Sequence, residues 1–282
     1  MPNYVKNKLT FYPSEDADEY DNIIKTICQY DDDHHIPFLD CNKIIPMPES
    51  LNIEAGSFTD VSFVLYIAYL IAKNDFKMND LEKIKVSKGS IMKMFSFDAN
   101  KLRLVDEKEK PEAFKEYVLE IFTWLYSCRY IDDVLISIRV QFDEYKERGK
   151  QCYDNIINYG YSTWYDWCID KWGCKWNACS SEIKDHEMVF ETAWSAPIPI
   201  FLSLSKMFPN TKFDVVYADE DMGSNTGRLT FFHGEMVEED RSDNLSQQAF
   251  QNFIDTWGES DCLSMDEKEN YHRKNCDECG MC

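Results

Sequence analysis

Three groups of residues have the types and spacing to do chemistry. The first is the acidic trio Asp219, Glu220 and Asp221, followed by Gly223 and Gly227. Hard cations want several carboxylate oxygens, so this trio, with Glu191 from a neighbouring strand, is a candidate Mg²⁺ site for phosphoester hydrolysis. The plainer reading is a turn between strands whose carboxylates cap backbone N–H groups, because adjacent side chains on a strand alternate faces and do not all reach one ion. The second group is His272, Cys276, Cys279 and Cys282, four soft ligands within eleven positions that together fit a tetrahedral Zn²⁺. Its three ligands at x2 spacing depart from the paired CxxC arrangement, and a thiol-rich tail is the alternative. The third is aromatic: Trp164, Trp167, Trp172, Trp176 and Trp194 read first as core and second as a base-stacking surface.

Other reactive side chains lack partners in sequence. Cys174 and Cys179 have no adjacent histidine to make a nucleophilic dyad, since His186 sits in the charged stretch Lys184-Asp-His-Glu187. His34 and His35 follow three aspartates and read as a solvated loop. Glycines never approach closer than Gly223 and Gly227, so GxGxxG, P-loop and GxSxG motifs are all absent from the sequence.

Composition narrows the function classes further. The 282 residues carry 30 Lys+Arg against 51 Asp+Glu, a net charge of -21, which disfavours a protein that wraps nucleic acid or an anionic membrane. The excess is uneven. Residues Met1 to Ser50 hold 4 basic and 10 acidic side chains, and Thr211 to Cys282 hold 6 and 17, whereas Asp75 to Lys150 has 15 of each. Acidic ends solubilise, and they also attract a basic partner. Glu238, Glu239 and Asp240 join the trio as candidate partner-binding residues. Eleven cysteines, an odd number, and an N-terminus without an apolar leader fit a reducing cytoplasm. The longest apolar run, Val61 to Ala72, is too short to span a bilayer, so no membrane partner is expected.

The elements that must position these residues follow from periodicity. Val5 to Tyr12 alternates as a strand, and Ser14 caps a helix carrying Ile23, Ile24, Ile27 and Cys28. Proline-bounded 37–48 is extended. Phe58 to Asp75 is an apolar helix, Glu112 to Tyr126 an amphipathic one, and Ile131 to Glu147 another that ends at Gly149. Met188 to Ala193, Lys212 to Tyr217 and Arg228 to Phe232 are strands, with a helix opened by Pro197 and Pro199 between the first two. The order β-α, long interruption, β-α-β-β describes an α+β plait split by an insertion.

Several blocks of the chain carry a family resemblance. Met1-Pro-Asn-Tyr-Val-Lys-Asn-Lys-Leu-Thr, Cys41-Asn-Lys-Ile-Ile-Pro-Met-Pro-Glu-Ser, Tyr159-Gly-Tyr-x-x-Trp-Tyr-Asp-Trp-Cys, Trp172-Gly-Cys-Lys-Trp-Asn-Ala, Phe190-Glu-Thr-Ala-Trp-Ser-Ala-Pro-Ile-Pro and Tyr217-Ala-Asp-Glu-Asp-Met-Gly-Ser-Asn-x-Gly together resemble the YubB ferredoxin-like family of phages and conjugative plasmids. The resemblance implies a ferredoxin-like α+β core and a mobile-element origin, and it supplies no catalytic residues. The expected organisation is a discontinuous core of residues 1–57 and 151–234, a mainly helical insertion at 58–150, and an acidic, Cys-containing C-terminal extension at 235–282.

The expected function is that of a cytoplasmic, non-catalytic, self-associating phage protein of the Gabija anti-defence type. It would bind and obstruct a host anti-phage defence complex such as Gabija or CRISPR, without contacting nucleic acid itself. The alternatives are a metal-dependent phosphoesterase or nuclease built on the acidic cluster, and an acidic DNA mimic. No cofactor is expected apart from zinc at the C-terminal cluster.

Overall fold

The computed structural model describes residues 3–13, 18–30, 37–81, 83–84, 105–126 and 128–274. The chain divides into two compact units, Met1–Met47 with Trp167–Cys282, and Pro48–Asp166.

The first unit is built on β1 (Tyr4–Tyr12), whose residues alternate between half-exposed and buried. Val5, Asn7, Leu9 and Phe11 form the buried row. The chain continues through α1 (Glu19–Ile27), the short antiparallel pair β2 (Cys28–Tyr30) and β3 (Pro37–Leu39), and α2 (Cys41–Ile44). Asp40 caps α2, its carboxylate accepting from the Asn42 N–H at 3.0 Å, so the stretch expected to be extended throughout contains a helical turn.

In the second unit α3 (Ser57–Ala72) is apolar on nearly all sides and packs against α4 (Pro111–Leu125). Two further helices follow, α5 (Ile131–Val140) and α6 (Phe142–Tyr159). The single helix expected over 131–147 is therefore two, separated at Gln141, and Gly149 does not end the second. Gly149 is buried inside α6, where a Cβ would lie 2.0 Å from the Ser62 carbonyl oxygen of α3. Its role is close helix approach. The stop comes at Gly160, in the left-handed region at φ +83°. This unit also runs beyond the expected 58–150, because Gln151 and Asn155 side-chain amides donate to the Ser50 carbonyl at 3.1 and 2.8 Å and tie the preceding 3-10 turn to α6.

The chain re-enters the first unit along α7 (Trp164–Lys171). It then forms β4 (Cys179–Lys184), β5 (Glu187–Ala193), α8 (Ile198–Met207), β6 (Lys212–Asp219), β7 (Gly227–Phe232) and β8 (Glu235–Arg241). The sheet order is β4-β5-β1-β6-β7-β8, antiparallel throughout. β4-β5-β1-β6, with a helix after β1 and another between β5 and β6, is the ferredoxin-like arrangement, and β7 and β8 extend it. Phe11, Phe190, Phe213 and Phe231 bury one sheet face, with Phe201 of α8 6.1 Å from Phe190 and 5.8 Å from Phe231 between ring centroids.

α9 (Gln247–Trp257), capped by the Ser246 hydroxyl, approaches the sheet through different residues. The Trp257 indole N–H donates to the Ala218 carbonyl at 2.9 Å, the Lys6 ammonium lies 4.0 Å from the Trp257 ring, and Arg228 bonds Asn252 and Asp255. The sheet and its covering helix therefore continue to Trp257, past the boundary expected at residue 234. A final pair, β9 (Leu263–Met265) and β10 (Tyr271–Arg273), follows.

Substituting Gly149→Ala should destabilise the helical unit by about 3 kcal/mol, because the clash is with backbone that has little room to yield. Gly160→Ala, where a Cβ meets open space but the φ is left-handed, should cost about 1 kcal/mol. Urea unfolding followed by far-UV circular dichroism checks the order; equal losses would contradict the packing role of Gly149.

Candidate functional site

Four of the six resembling blocks meet at one end of the large sheet. Asn3 and Tyr4 come from the start of β1, Lys175 and Trp176 from the segment before β4, Trp194 and Ser195 from the turn after β5, and Asp219 to Thr226 from the β6–β7 connection. Register enforces the meeting: Val5 stands opposite Thr192 on one side and Asp219 on the other.

Asp219 is the hub. Its side chain is only 6% exposed, and a buried carboxylate is costly unless hydrogen-bonded. One oxygen accepts from the Asn3 amide at 3.1 Å and from the Asp221 N–H at 2.8 Å; the other accepts from the Asn225 amide at 3.2 Å. The same Asn225 amide donates to the Trp194 carbonyl at 3.0 Å, and the Trp194 N–H donates to the Asn3 carbonyl at 2.9 Å. Both peptide groups of Trp194 are thus held by residues that hold Asp219.

Trp194 needs that support. Its φ is +77°, a region in which a bulky side chain costs on the order of 1–3 kcal/mol, and its side chain remains 39% exposed. Asn225, at φ +47°, tolerates the left-handed region more readily. Lys175 extends between two indoles, its ammonium 4.5 Å from the Trp194 ring centroid and 4.7 Å from that of Trp176. Tyr4 stands 6.5 Å from Trp176. Behind this surface the Ser195 hydroxyl donates to the Gly173 carbonyl, and the buried Asn7 amide supports Thr192, whose hydroxyl bonds the Ser195 carbonyl at 2.8 Å.

The acidic trio does not assemble a metal site. Asp219 is occupied as described. Glu220 accepts from the Tyr4 N–H at 3.1 Å, and Asp221 pairs with Arg273 at 3.0 Å and accepts from Ser224 at 3.2 Å. Glu191 aligns with Lys6 and Ala218, the opposite sheet face from Asp219, and its carboxylate is 3.5 Å from the Lys6 ammonium. The three carboxylates of the trio cap and brace the β6–β7 turn, and no group of three metal-ligating side chains occurs among the described residues. Of the C-terminal quartet, His272 lies on β10 with its Nε2 3.1 Å from the Asp266 carboxylate. Cys276, Cys279 and Cys282 lie outside the described residues, as do His34 and His35.

Glu238, Glu239 and Asp240 lie on β8, which is exposed along its whole length. Asp240 stands opposite Arg228 and Glu238 opposite Thr230, so these two share a face while Glu239 takes the other. Asp240 belongs to the same sheet end as the β6–β7 turn; Glu238 lies further along. The tryptophans divide as well: Trp167 and Trp172 are core, 5.4 Å apart and nearly perpendicular, Trp164 and Trp176 are half-buried, and Trp194 is exposed.

Cys41, Cys168 and Cys174 are buried. A hydrogen bond with Cys41, then burial, pushes the Cys174 thiol far above its ordinary range, and burial with Cys41 nearby pushes Cys168 up to about 12. Neither is poised as a nucleophile. His186 packs edge-on against Tyr20, 4.6 Å between centroids. Residue type alone does not single out Asn3, Tyr4, Lys175 and Asn225, although all fall inside the resembling blocks.

At pH 8 the folded protein should leave Cys168 and Cys174 unalkylated by iodoacetamide, with both modified once guanidinium is added; mass mapping of labelled peptides checks this. Asp219→Ala should cost about 2–3 kcal/mol by orphaning three donors, and should raise quencher access to Trp194. Unchanged unfolding and unchanged quenching would remove Asp219 from its role.

Residues 171–259 match the family model described as the ferredoxin-like domain in Api92-like protein, a span that takes in β4 through α9. Among curated proteins no match is found. A solved structure, that of a protein api92 from Yersinia pseudotuberculosis, is similar with a TM-score of 0.34 at 10% identity, over 86% of this chain and 99% of that one. The segment from the end of α7 through α9 is thus similar to the ferredoxin-like domain of Api92-like proteins.

Proposed function

We propose that this chain is a non-catalytic interaction protein of a mobile genetic element, which binds a host anti-phage defence complex and blocks its nucleic-acid binding or cleavage. The observation that carries the reading is β8. It is the terminal strand of the six-stranded sheet among the described residues, it is exposed throughout, and it bears Glu235, Glu238, Glu239 and Asp240. Charged side chains on an edge suppress unregulated strand pairing. The same row complements a basic surface, the kind that a nucleic-acid-acting complex must present, and such complementarity raises association rates and fixes register.

Two further features support this reading. The trio carboxylates are engaged by Asn3, Tyr4, Asn225, Ser224 and Arg273, leaving them committed to structure. The YubB-like blocks point to phages and conjugative plasmids as the setting, where a soluble inhibitor working in the host cytoplasm fits. No helix among the described residues is long and apolar enough to cross a membrane.

The test is a reconstituted defence nuclease, of Gabija or CRISPR type, assayed for DNA cleavage with the purified full chain added. Wild type should inhibit cleavage and co-elute with the complex. The triple change Glu238→Lys, Glu239→Lys and Asp240→Lys should weaken inhibition by about tenfold or more, chiefly through slower association, with the difference shrinking as salt rises. Failure of wild type to bind or inhibit either complex overturns the reading. Intrinsic DNA cleavage lost on alanine substitution of Asp219, Glu220 and Asp221 would establish the phosphoesterase instead.

A further inference from the structure

The sheet end holds a feature that the edge-strand reading does not use. Trp176 and Trp194 each stand within cation–π range of a single ammonium, that of Lys175, at 4.7 and 4.5 Å. An amphipathic lysine usually keeps its charged head in water; here it is placed between two indoles. The arrangement is not a by-product of core packing, because Trp194 is substantially exposed and takes a left-handed backbone that tryptophan disfavours. That conformation is fixed from below: Asn3 and Asn225 bond both peptide groups of Trp194 and the buried Asp219 carboxylate together. Strained backbone held in place by a hydrogen-bonded network occurs at ligand clamps, active sites and switch regions.

The sign of the ligand follows from the surroundings. The turn that carries Asn225 also carries Asp219 and Glu220, whose hydrogen-bond donors are neutral, whereas Asp221 is already paired with Arg273; and indole faces are electron-rich. Both favour a cation. Of the cationic side chains, arginine is the better match to a pair of indoles, since its guanidinium is planar, weakly hydrated and stacks on aromatic faces.

We propose that Trp176 and Trp194 form a receptor for an arginine side chain of a protein partner, and that Lys175 is its internal placeholder, displaced when the arginine enters. The indole faces exchange one cation for another, while the Lys175 ammonium, still tethered to the chain, turns to solvent and the complex gains the charge of the arginine. The inference stands apart from the identity of the partner and from the role of β8.

The test uses the full chain with ¹⁵N-labelled tryptophan and a monovalent probe, N-acetyl-arginine amide, in 150 mM salt. A single charge keeps general attraction to an acidic protein small. The isosteric neutral control is N-acetyl-citrulline amide. Trp176→Phe and Trp194→Phe assign the two indole N–H signals among the seven tryptophans. Saturable shifts confined to these two signals are expected with arginine and absent with citrulline, with a dissociation constant of millimolar order. Lys175→Ala should tighten binding roughly three- to tenfold by removing the competitor. Trp194→Ala should abolish it, and Trp194→Phe, which preserves a ring, should weaken it severalfold, with circular dichroism confirming that each variant is folded. Shifts of similar size at all seven indoles, an equal response to citrulline, or an affinity unchanged by Lys175→Ala would each overturn the proposal.

Discussion

The double pairing of β1 is the constraint on which the remaining structure depends. Tyr4–Tyr12 is hydrogen-bonded on one side to β5 and on the other to β6, segments more than 170 residues away in sequence. Closing so long a loop costs entropy, but the cost grows only as the logarithm of its length, so inserting a whole helical unit adds little to what a short connection would require. That unit has its own buried core in Phe63, Leu65, Phe114, Val118, Phe122 and Ile156. The sheet need not supply its stability. What the sheet must supply is register, and the buried row Val5, Asn7, Leu9 and Phe11 does so, because a slip of one residue would turn the whole row to the other face.

Register in turn creates the site. Val5 opposite Thr192 and Asp219 brings the β5–α8 turn and the β6–β7 turn to the same sheet end, with Asn3 between them. The buried oxygen atoms of Asp219 must then be satisfied, and two of their donors come from Asn3 and Asn225, the residues that also hold the Trp194 peptide groups. A single unfavourable group, the buried carboxylate, thereby fixes a second, the left-handed tryptophan.

How far this was legible in sequence depended on burial contrast. β1, β5, β6 and β7 have one face in the core, so their alternation was plain. β4, with half-exposed and exposed residues, and β8, exposed on both faces, carry no such pattern, and Glu-Met-Val-Glu-Glu-Asp-Arg reads as an acidic tail until its pairing with β7 is seen. Gly149 misled for the opposite reason: glycine is a helix stop by backbone freedom and a helix contact by small size, and only the position of Ser62 on α3 distinguishes the two. Residue type is enough to single out the acidic trio, and a capped turn is the plainer of its two readings. The pairing of Lys175 with two indoles is not legible in the sequence. It depends on the φ of Trp194 and on which turn meets which, and neither has a local signature.

The balance of terms at Trp194 also bears on why such a site persists. An exposed indole in a strained conformation gains little from the hydrophobic effect, and the cost of that conformation falls on the folded state alone. Relieving it by moving Trp194 to an ordinary conformation would break two bonds, from the Trp194 N–H to the Asn3 carbonyl and from the Asn225 amide to the Trp194 carbonyl, each worth roughly 0.5–1.5 kcal/mol, and would loosen the two asparagines that also hold Asp219. The strained state is therefore the lower one once β1 is paired on both sides. Local strain of about the same size as one hydrogen bond is tolerated because three elements share the network that holds it, and the result is an aromatic surface that stays presented to solvent rather than collapsing into the core.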